Sequence, residues 1–432
     1  MTRPTSGWGN YPVVESEVLG FSSEAELSER LRAEGVIAQG LLRSYGDSAL
    51  SERAITTSSF NRFLSFQPET GMLTCESGVS LSDILDVFLP RGWFLPVTPG
   101  TKFVTIGGAI ASDVHGKNHH KSGSFCNHVS SIDIMLPSGE VLTCTHQTNA
   151  DLFRATCGGM GLTGVILRAT LRLDPVNSAY IDQETVKARD LAHIMELFES
   201  SMDWTYSMAW IDCLSSGSSL GRSIMMRGEH SNEGPVNIPP KRKLSVPMNF
   251  PGFVLNNLSV RAFNMLYYAK APSGTARGTV DYDSFFYPLD AINNWNRIYG
   301  KRGFTQYQFV LPHEASGEGM NRILGKIAAS GMGSFLAVLK LFGEQKGLMS
   351  FPMEGYTLAL DFPMKRGLLE LLDELDRMVL DYGGRLYLTK DARMSAATLR
   401  ASYKGLDEFL SLRGKYDPGG RLSSLQSRRL EI

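Results

Sequence analysis

The sequence predicts an α+β fold in which one domain is interrupted by a second, inserted domain. Short strand-like and helix-like segments alternate through the first third of the chain, and three glycine-rich segments lie within its first 165 residues. From residue 180 onward glycine becomes scarcer, while aromatic residues and longer strand-like runs increase. We therefore predict a first domain over 1–180 that is completed by 385–432, with an inserted domain over 181–384.

Composition excludes several classes of protein. The 432 residues include 43 Lys and Arg and 44 Asp and Glu, and this balance gives no overall electrostatic case for binding nucleic acid. Five cysteines, without a CxxC pair, argue against a disulfide scaffold and fit a reducing compartment. The N-terminal sequence MTRPTSGWGNYP lacks the apolar region of a signal peptide, and no run of about 18 apolar residues occurs. We expect a cytoplasmic protein.

In chain order, the first clear local signal is a helix. The pattern Ser23-x-x-Glu26 is typical of a capping box, and Gly35 is placed to end the helix. The apolar run at 36–38 then predicts a strand, which leads into the first glycine-rich segment, GLLRSYGDS at 40–48.

A second capped helix and a hairpin surround the next glycine-rich segment. Ser80 precedes an apolar helical pattern that stops near Pro90. The segment GTKFVTIGGAIASDVHG follows at 100–116, and Ser138-Gly139 separates two strand-like runs as a hairpin turn does.

The third glycine-rich segment, CGGMGLTG at 157–164, contains a GxGxxG pattern. A nicotinamide-binding fingerprint requires a strand before this pattern and a helix after it. Here a helix-like stretch at 151–155 precedes it, and the alternating apolar residues at 165–173 predict a strand after it. We therefore exclude a Rossmann site.

Two features stand out in the inserted domain. A broad apolar face over 366–381, followed by Gly383 and Gly384, predicts a helix with a glycine stop. The basic cluster Lys241-Arg242-Lys243 is followed by the apolar run VPMNFPGFVLNNL. This combination is typical of a peripheral membrane contact, and an ordinary mobile loop explains it equally well.

The glycine-rich segments are the strongest indication of function. Small residues allow backbone N–H groups to converge on a phosphate or to lie flat against a ring. Any one of the segments alone is more simply a tight turn. Three of them, each next to a predicted strand, favour a common ligand.

A cluster of histidines next to the second segment raises the alternative of a metal site. His115, His119, His120, Cys126 and His128 do not match the spacing of a closed tetrahedral zinc site. We predict no metal, and expect His115 to form hydrogen bonds near the bound ligand. The sequence also has no GxSxG, HExxH or P-loop pattern, so hydrolase and phosphoryl-transfer chemistry lack support.

Longer motifs carry a family resemblance. LRSYGDSAL, VTPGTKFVTIGGAIASDVHGKNHH and CGGMGLTGVILRATLRL resemble the FAD-binding domain of the vanillyl-alcohol oxidase (PCMH-type) flavoproteins. The likeness continues through WNRIYG, QYQFVLP, GGRLYLTKDAR and DPGGRLSSLQSRRLE, which resemble a branch acting on a polyprenyl-phosphate-linked ribose. It implies a two-lobed FAD-binding domain with an inserted antiparallel-sheet substrate domain.

The resemblance also implies a reaction and its partners. The 2-hydroxyl of a polyprenylphosphoryl-β-D-ribose becomes a ketone by hydride transfer to flavin N5, the first half of a ribose-to-arabinose epimerisation. An NAD(P)-dependent short-chain reductase would complete the epimerisation, and a quinone or another electron acceptor would reoxidise the flavin.

Site residues are carried over from the resemblance position by position. The implied FAD contacts are Gly40, Arg43, Ser44, Tyr45, Gly46 and Asp47 in the first segment, Thr98, Gly100, Thr105, Gly107, Gly108, Ser112, His115, Gly116 and Asn118 around the second, Cys157, Gly158, Gly161, Gly164 and Val165 in the third, and Tyr387 and Lys390 near the C-terminus. The implied substrate contacts are Tyr45, Lys117, Gln306, Gln308, Lys340 and Ala359.

Two substitutions predict that FAD is bound noncovalently. Many relatives attach FAD through a histidine at the position of Tyr45, and others through a cysteine in the stretch occupied here by Lys102 and Phe103. Neither attachment residue is present.

Three residues are predicted to act in catalysis: Lys390, His115 and Tyr387. Lys390 is our choice for the cation that stabilises negative charge on the reduced ring, and either Lys390 or His115 would accept the hydroxyl proton.

The sequence departs from close relatives at four positions. Ala359 stands where cysteine is frequent, Thr357 where asparagine is, and Phe286 and Met208 replace a pocket tyrosine and serine. These differences leave the identity of the sugar or lipid open. The alternatives are an oxygen-using alditol or sugar-lactone oxidase acting on a free carbohydrate, and a non-catalytic flavoprotein scaffold.

Overall fold

A computed structural model describes residues 2–239, 241 and 243–432. Over residues 2–175 the strands are β1 Thr2–Ser6, β2 Val13–Leu19, β3 Val36–Gln39, β4 Arg53–Thr56, β5 Phe63–Gln67, β6 Met72–Glu76, β7 Trp93–Phe94, β8 Val129–Met135, β9 Val141–Thr145, β10 Val165–Arg172 and β11 Asp174–Pro175. The helices are α1 Glu24–Arg30, α2 Leu81–Phe88, α3 Ile106–Ala111, α4 His119–Ser122 and α5 Ala150–Thr156, with 3-10 turns at Leu89–Arg91 and Phe125–His128.

Two sheets form this first part. One has the order β1-β2-β4-β3, with β1 antiparallel to β2 and the remaining pairs parallel. The other has the order β5-β6-β10-β8-β9 and is antiparallel throughout. β7 and β11 form a separate two-stranded pair. Together with the helices, these sheets confirm the α+β class.

The predicted local signals of this part can be compared with its helix ends. Ser80 caps α2 in a full capping box with Asp83. Ser23 caps α1 by accepting from the Glu26 N–H, but the Glu26 carboxylate accepts from the backbone of Ser22 rather than Ser23. The capping box predicted at Ser23 is therefore only half formed, because the carboxylate reaches one residue further.

The third glycine-rich segment connects α5 to β10. A helix thus precedes the GxGxxG pattern and a strand follows it, which is the reverse of the nicotinamide-binding arrangement.

Over residues 180–386 the strands are β12 Tyr180–Ala188, β13 Tyr206–Ile211, β14 Ser223–His230, β15 Leu244–Ser245, β16 Thr275–Asp281, β17 Ile292–Asn293, β18 Phe304–Pro312, β19 Ala337–Phe342, β20 Gly355–Pro363 and β21 Arg385–Leu386. The helices are α6 Leu191–Glu199, α7 Asn257–Lys270, α8 Tyr282–Phe286, α9 His313–Ser330 and α10 Leu368–Asp381, with 3-10 turns at Gly217–Ser219, Pro288–Ala291 and Trp295–Tyr299.

This region is organised around one antiparallel sheet of eight strands, in the order β16-β12-β14-β13-β19-β20-β18-β21. Helices α9 and α10 pack against it through Ile323, Leu324, Leu372 and Leu375, all of which are fully buried. α10 begins two residues later than predicted, after Gly367, and Gly383 beyond its end has φ +70°.

The chain ends with α11 Ala396–Ser402, α12 Leu406–Tyr416 and α13 Leu425–Leu430. The backbone around Leu422 adds to β3 as an isolated parallel bridge, with Ser423 N–H donating to Val36 over 2.8 Å. The C-terminal segment therefore contacts the first sheet. The three-part domain division stays a prediction; the two residues of β21, assigned to the last part, extend the eight-stranded sheet.

Within the described part of the chain, none of the helices has both the length and the apolar character needed to cross a bilayer.

Candidate active site

A cavity of about 630 Å³ is bounded on one side by the glycine-rich segments and on the other by the eight-stranded sheet. This volume lies within the range of roughly 300–1,000 Å³ usual for cofactor and small-molecule sites.

Tight backbone packing explains the glycines at this wall. A Cβ on Gly40 would lie 2.3 Å from the Thr105 hydroxyl, and one on Gly107 would lie 3.1 Å from the Cβ of Ser77. A Cβ on Gly116 would lie 2.8 Å from the Thr98 carbonyl oxygen. Only the hydrogen of a glycine fits at these positions. The backbone of the segments can therefore pack closely and remain near the cavity.

Most of the predicted contacts line this one cavity. The structure brings together Gly40, Arg43, Ser44, Tyr45, Thr98, Gly100, Thr105, Gly107, Gly108, Ser112, His115, Gly116, Lys117, Gly161, Gly164, Val165, Gln306, Gln308, Lys340, Ala359, Tyr387 and Lys390.

Five predicted FAD contacts do not line the cavity: Gly46, Asp47, Asn118, Cys157 and Gly158. Gly46 packs on the chain near the C-terminus, where a Cβ would lie 1.9 Å from the Asp391 carbonyl oxygen. The Asp47 carboxylate is buried and pairs with the Arg429 guanidinium at 2.7 Å. These two residues hold the first segment against the C-terminal helices.

The other three are also used by the protein itself. The Asn118 amide donates to the Pro96 carbonyl oxygen over 2.8 Å. Cys157 is buried in the hydrophobic core of the first part. Gly158, with φ +77°, packs on the backbone of Met349 and Ser350. Contact of these five residues with FAD stays a prediction; in the structure they shape and anchor the loops that carry the cavity-lining residues.

Three lysines face the cavity. Lys390 Nζ lies 4.0 Å from the centre of the Tyr45 ring, and burial lowers the pKa of Lys390 to about 7, although Asp361 opposes this effect. Burial lowers the pKa of Lys340 to about 8 and, with help from the Lys340 charge, that of Lys117 to about 7. The Lys117 ammonium donates to the Phe285 carbonyl oxygen. The cavity therefore holds three lysine amines whose protonated forms are destabilised by burial.

His115 is fixed by a short polar chain. The Gln308 amide lies 3.1 Å from His115 Nε2 and donates to the Thr357 hydroxyl over 3.3 Å. Burial, aided by the Lys340 charge, lowers the pKa of His115 well below its ordinary value. His115 is therefore neutral near pH 7, and donation by Gln308 to Nε2 leaves the ring proton on Nδ1.

Tyr387 and Asp361 complete the surroundings of Lys390. The Tyr387 hydroxyl donates to the Ser112 carbonyl oxygen over 3.1 Å, and its ring stacks on Phe351 at 4.5 Å. The Gln306 amide donates to Asp361 over 2.5 Å, and burial raises the pKa of Asp361 to about 7. The Asp361 carboxyl and the Lys390 amine therefore affect each other's pKa, because each charge favours the charged form of the other.

Several residues of this site were not predicted from the sequence. Trp8 and Asp290 are two of them, and both surround the predicted residue Arg43. The Arg43 guanidinium stacks over the Trp8 ring at 4.1 Å, and burial lowers the pKa of Arg43 although the nearby Asp290 carboxylate opposes this effect. Phe263 and Tyr267 line the cavity from α7. These four residues belong to no local motif, so only the fold brings them to the site.

Unpaired polar atoms test whether the cavity fits FAD. Ser77 Oγ and His115 Nδ1 are buried beside the glycine backbone, and neither has a hydrogen-bond partner among the described residues. Buried polar atoms normally have partners, so these two are free to bind a ligand. Small residues at Gly40, Gly107 and Gly108, donors beside them and a cavity of this size fit a dinucleotide.

The histidine cluster serves other purposes. His120 Nε2 bonds the Trp204 carbonyl oxygen at 2.8 Å, His128 Nε2 bonds that of Ser122 at 2.9 Å, and His119 packs on Phe342 at 4.5 Å. Over residues 2–239, 241 and 243–432, no group of three His, Cys, Asp or Glu side chains is placed to hold a metal ion.

Comparison with known proteins agrees with this geometry. A family model described as an FAD-binding domain matches residues 20–145. Decaprenylphosphoryl-β-D-ribose oxidase from Mycolicibacterium smegmatis is 40% identical over 100% of this chain and 98% of its own length. An uncharacterized protein in the mprA 5′ region of Streptomyces coelicolor is 32% identical over 82% of the chain and 100% of its own length.

More distant similarity is confined to part of the chain. A D-arabinono-1,4-lactone oxidase from Yarrowia lipolytica is 28% identical over 32% of this chain and 26% of its own length. The full-length match thus separates this chain from the lactone oxidases. The chain belongs to the decaprenylphosphoryl-β-D-ribose oxidase family and is an FAD-dependent oxidoreductase.

Proposed function

We propose that this chain oxidises the 2-hydroxyl of a polyprenylphosphoryl-β-D-ribose to a ketone. The observation that carries the proposal is one continuous cavity that joins the glycine-rich FAD segments to a wall holding Lys117, Lys340 and Lys390. An enzyme of this kind must hold a carbinol beside the flavin and an anionic phosphate nearby. The name of the full-length relative gives the same sugar class.

FAD would be held by the backbone of the first two glycine-rich segments, by Ser77 and by His115 Nδ1. When bound, it accepts a hydride from the carbinol carbon. Binding is noncovalent in this proposal, because the two attachment positions hold Tyr45 and the Lys102-Phe103 pair. The Tyr45 ring instead packs edge-on against Phe304 at 5.4 Å.

Lys390 is the residue that accepts the hydroxyl proton in this proposal. Gln308 occupies His115 Nε2, so the imidazole presents a donor rather than an acceptor. With a pKa of about 7, Lys390 is partly neutral at physiological pH and can take the proton. The ammonium that forms then supplies positive charge to the cavity. The rate of flavin reduction should therefore rise with pH through about 7, where Lys390 loses its proton.

The remaining lysines would bind the anionic part of the substrate. A phosphate near Lys340 and Lys117 offsets the cost of burying two ammonium groups. Gln306 and Gln308, whose amide nitrogens already donate within the protein, would offer their side-chain oxygens to the ribose hydroxyls. Ala359 and Thr357 lie two residues apart on β20, both on the cavity wall, and leave more room than the cysteine and asparagine of close relatives.

Two partners belong to the same proposal. The keto sugar requires a reductase that delivers a hydride to the opposite face, and an NAD(P)-dependent short-chain reductase has this chemistry. Electrons leave the flavin to a quinone or another acceptor. The lipid part of the substrate also requires contact with a membrane surface.

The test is anaerobic mixing of the FAD-loaded enzyme with polyprenylphosphoryl-ribose. We expect loss of the visible absorption band of oxidised flavin and formation of the 2-keto sugar. The matched control is the 2-deoxyribose analogue, which binds but has no hydroxyl to oxidise. An unchanged spectrum with bound ribose substrate would instead indicate a scaffold. Rapid peroxide release from free sugars or lactones would indicate the oxygen-using alternative.

A further inference from the structure

Exposed apolar side chains are concentrated in one short part of this chain. Of the thirteen large hydrophobic residues exposed in the described structure, eight lie between residues 244 and 267. They are Leu244, Met248, Phe253, Leu258, Phe263, Met265, Leu266 and Tyr267. A cluster of this kind marks an interaction surface, whereas scattered exposed residues do not.

A helix on the surface of a globular domain usually turns its apolar face toward the core. Helix α7 instead exposes a broad apolar face to solvent. Its buried residues are Val260 and Asn264, and the Asn264 amide donates to the Asp212 carboxylate over 2.8 Å. The opposite face is an exposed apolar stripe with the i, i+4, i+7, i+8, i+11 spacing of one helix side. We call this the α7 stripe: Leu258, Ala262, Met265, Leu266 and Ala269. The helix directs its polar anchor inward and its apolar side outward.

The charge of the same region is one-sided. Residues 234–280 contain six Lys or Arg residues and neither Asp nor Glu, in a chain whose net charge is −1. Two of the six are neutralised, since Lys241 contacts Asp281 and Arg277 contacts Glu184. Arg261 and Lys270 lie at the two margins of the α7 stripe, and the Arg261 guanidinium donates to the neutral side chain of Asn257 over 2.9 Å.

Helix α7 also forms part of the cavity wall. Phe263 and Tyr267 line the cavity from the side of the helix between the stripe and the buried face. Tyr267 packs on Trp210 at 4.8 Å, and Phe263 packs on Phe335 at 5.6 Å. The same helix therefore contributes to the cavity wall on one side and carries the exposed stripe on another.

We propose that α7 and the preceding segment 244–256 dock on an anionic lipid bilayer and admit the lipid-linked substrate from it. The α7 stripe enters the boundary between head groups and acyl chains, and Arg261 and Lys270 contact anionic head groups. A bilayer is favoured over a protein partner because the surface has one broad apolar side and cationic margins without acidic residues. The proposal rests on the proposed function only for the identity of the substrate's lipid chain.

Vesicle flotation tests the surface directly. The FAD-loaded protein should float with phosphatidylcholine vesicles that contain phosphatidylglycerol, and much less with phosphatidylcholine alone. The double variant Leu258→Ser, Leu266→Ser should lose most of this binding. The matched control, Val13→Ser with Leu64→Ser, removes two exposed aliphatic residues elsewhere and should bind like the wild type. Equal flotation of both variants, or none by the wild type, overturns the proposal.

A fluorescent label tests which residue enters the bilayer. All five native cysteines are buried, so a cysteine introduced as Leu258→Cys can be labelled selectively with an environment-sensitive dye. Its emission should shift to shorter wavelength on addition of anionic vesicles, whereas a dye at Val13→Cys should not respond. A response of the Leu258→Cys label to an added protein but not to vesicles would overturn the proposal in favour of a protein partner.

Substrate chain length separates this proposal from the proposed function. With a short-chain, water-soluble prenylphosphoryl-ribose, wild type and the Leu258→Ser, Leu266→Ser variant should reduce their flavin at the same rate. With a long-chain substrate in anionic vesicles, the variant should be slower at limiting substrate. Equal rates on both substrates contradict the docking proposal alone, and no reduction with either contradicts the proposed function.

Discussion

Replacing Lys340 by methionine should make the FAD-free protein more stable while weakening its activity. Lys340 lies on β19, opposite Thr357 of β20, and its side chain points into the cavity wall. Burial lowers the pKa of Lys340 from 10.5 to about 8. The folded protein therefore pays a free-energy cost for the charged lysine, which methionine of similar shape does not carry.

The size of this cost follows from the pKa of Lys340. A change from 10.5 to about 8, at about 1.4 kcal/mol for each tenfold change in proton affinity, corresponds to about 3 kcal/mol. Because the side chain keeps partial contact with solvent in the cavity, we expect roughly half of this, about 1–2 kcal/mol. Between pH 8 and 10.5 the unfolded chain binds more protons than the folded one, so wild-type stability rises with pH. The gain from methionine is thus greatest below pH 8 and disappears toward pH 10.5.

Urea unfolding of the FAD-free proteins at several pH values measures this difference. The control variant is Lys326→Met, at an exposed lysine on α9 that contacts Glu374. This control should show no gain. In parallel, Lys340→Met should raise the KM for the phosphate-linked ribose. Lower stability of Lys340→Met at pH 7, or a gain that does not change with pH, would show that burial of the Lys340 charge does not destabilise the folded protein.

Three further predictions concern the same site. Lys390→Met should retain FAD but slow flavin reduction by about 10²–10³-fold, because the proton acceptor and the positive charge that forms on it are both lost from a desolvated site; rapid-mixing absorbance measures this rate. Asp361→Asn should move the acidic limb of the pH–rate profile to lower pH, because Asp361 raises the pKa of Lys390; an unmoved limb would speak against their coupling. Gly46→Ala should destabilise the protein by about 1–3 kcal/mol, because the new Cβ would lie 1.9 Å from the Asp391 carbonyl oxygen. Gly100→Ala, with no atom within 4 Å of the new Cβ, should leave the thermal midpoint unchanged.

Local elements of the fold could be predicted because their causes are local. The Ser80 cap of α2 and the hairpin at Gly139, which has φ +90°, depend on a few neighbouring residues. The order of the eight-stranded sheet could not be predicted. β13 pairs with β19 although more than a hundred residues separate them, and such pairing depends on packing across the whole sheet.

The candidate site was predictable to the extent that motifs mark whole loops. Gly40 and Gly107, which were both predicted from motifs, line one cavity. The motifs did not distinguish residues that line the cavity from residues that anchor the loop. Asp47 anchors its loop by pairing with Arg429. This partner lies 382 residues away along the chain, so the motif gives no sign of the pairing. Ser77 and the α7 stripe were not predicted for a related reason. The unpaired hydroxyl of Ser77 and the exposure of the stripe are properties of the folded chain.

Deuterium at C2 of the ribose tests most directly whether the enzyme oxidises the 2-hydroxyl. Anaerobic flavin reduction by the [2-²H] substrate should be several-fold slower than by the unlabelled substrate, because the C2–H bond breaks in the step that reduces the flavin. Deuterium at C3 should have no such effect. Equal rates for the C2-labelled and unlabelled substrates at saturation, or slowing only by the C3 label, would contradict oxidation at the 2-hydroxyl.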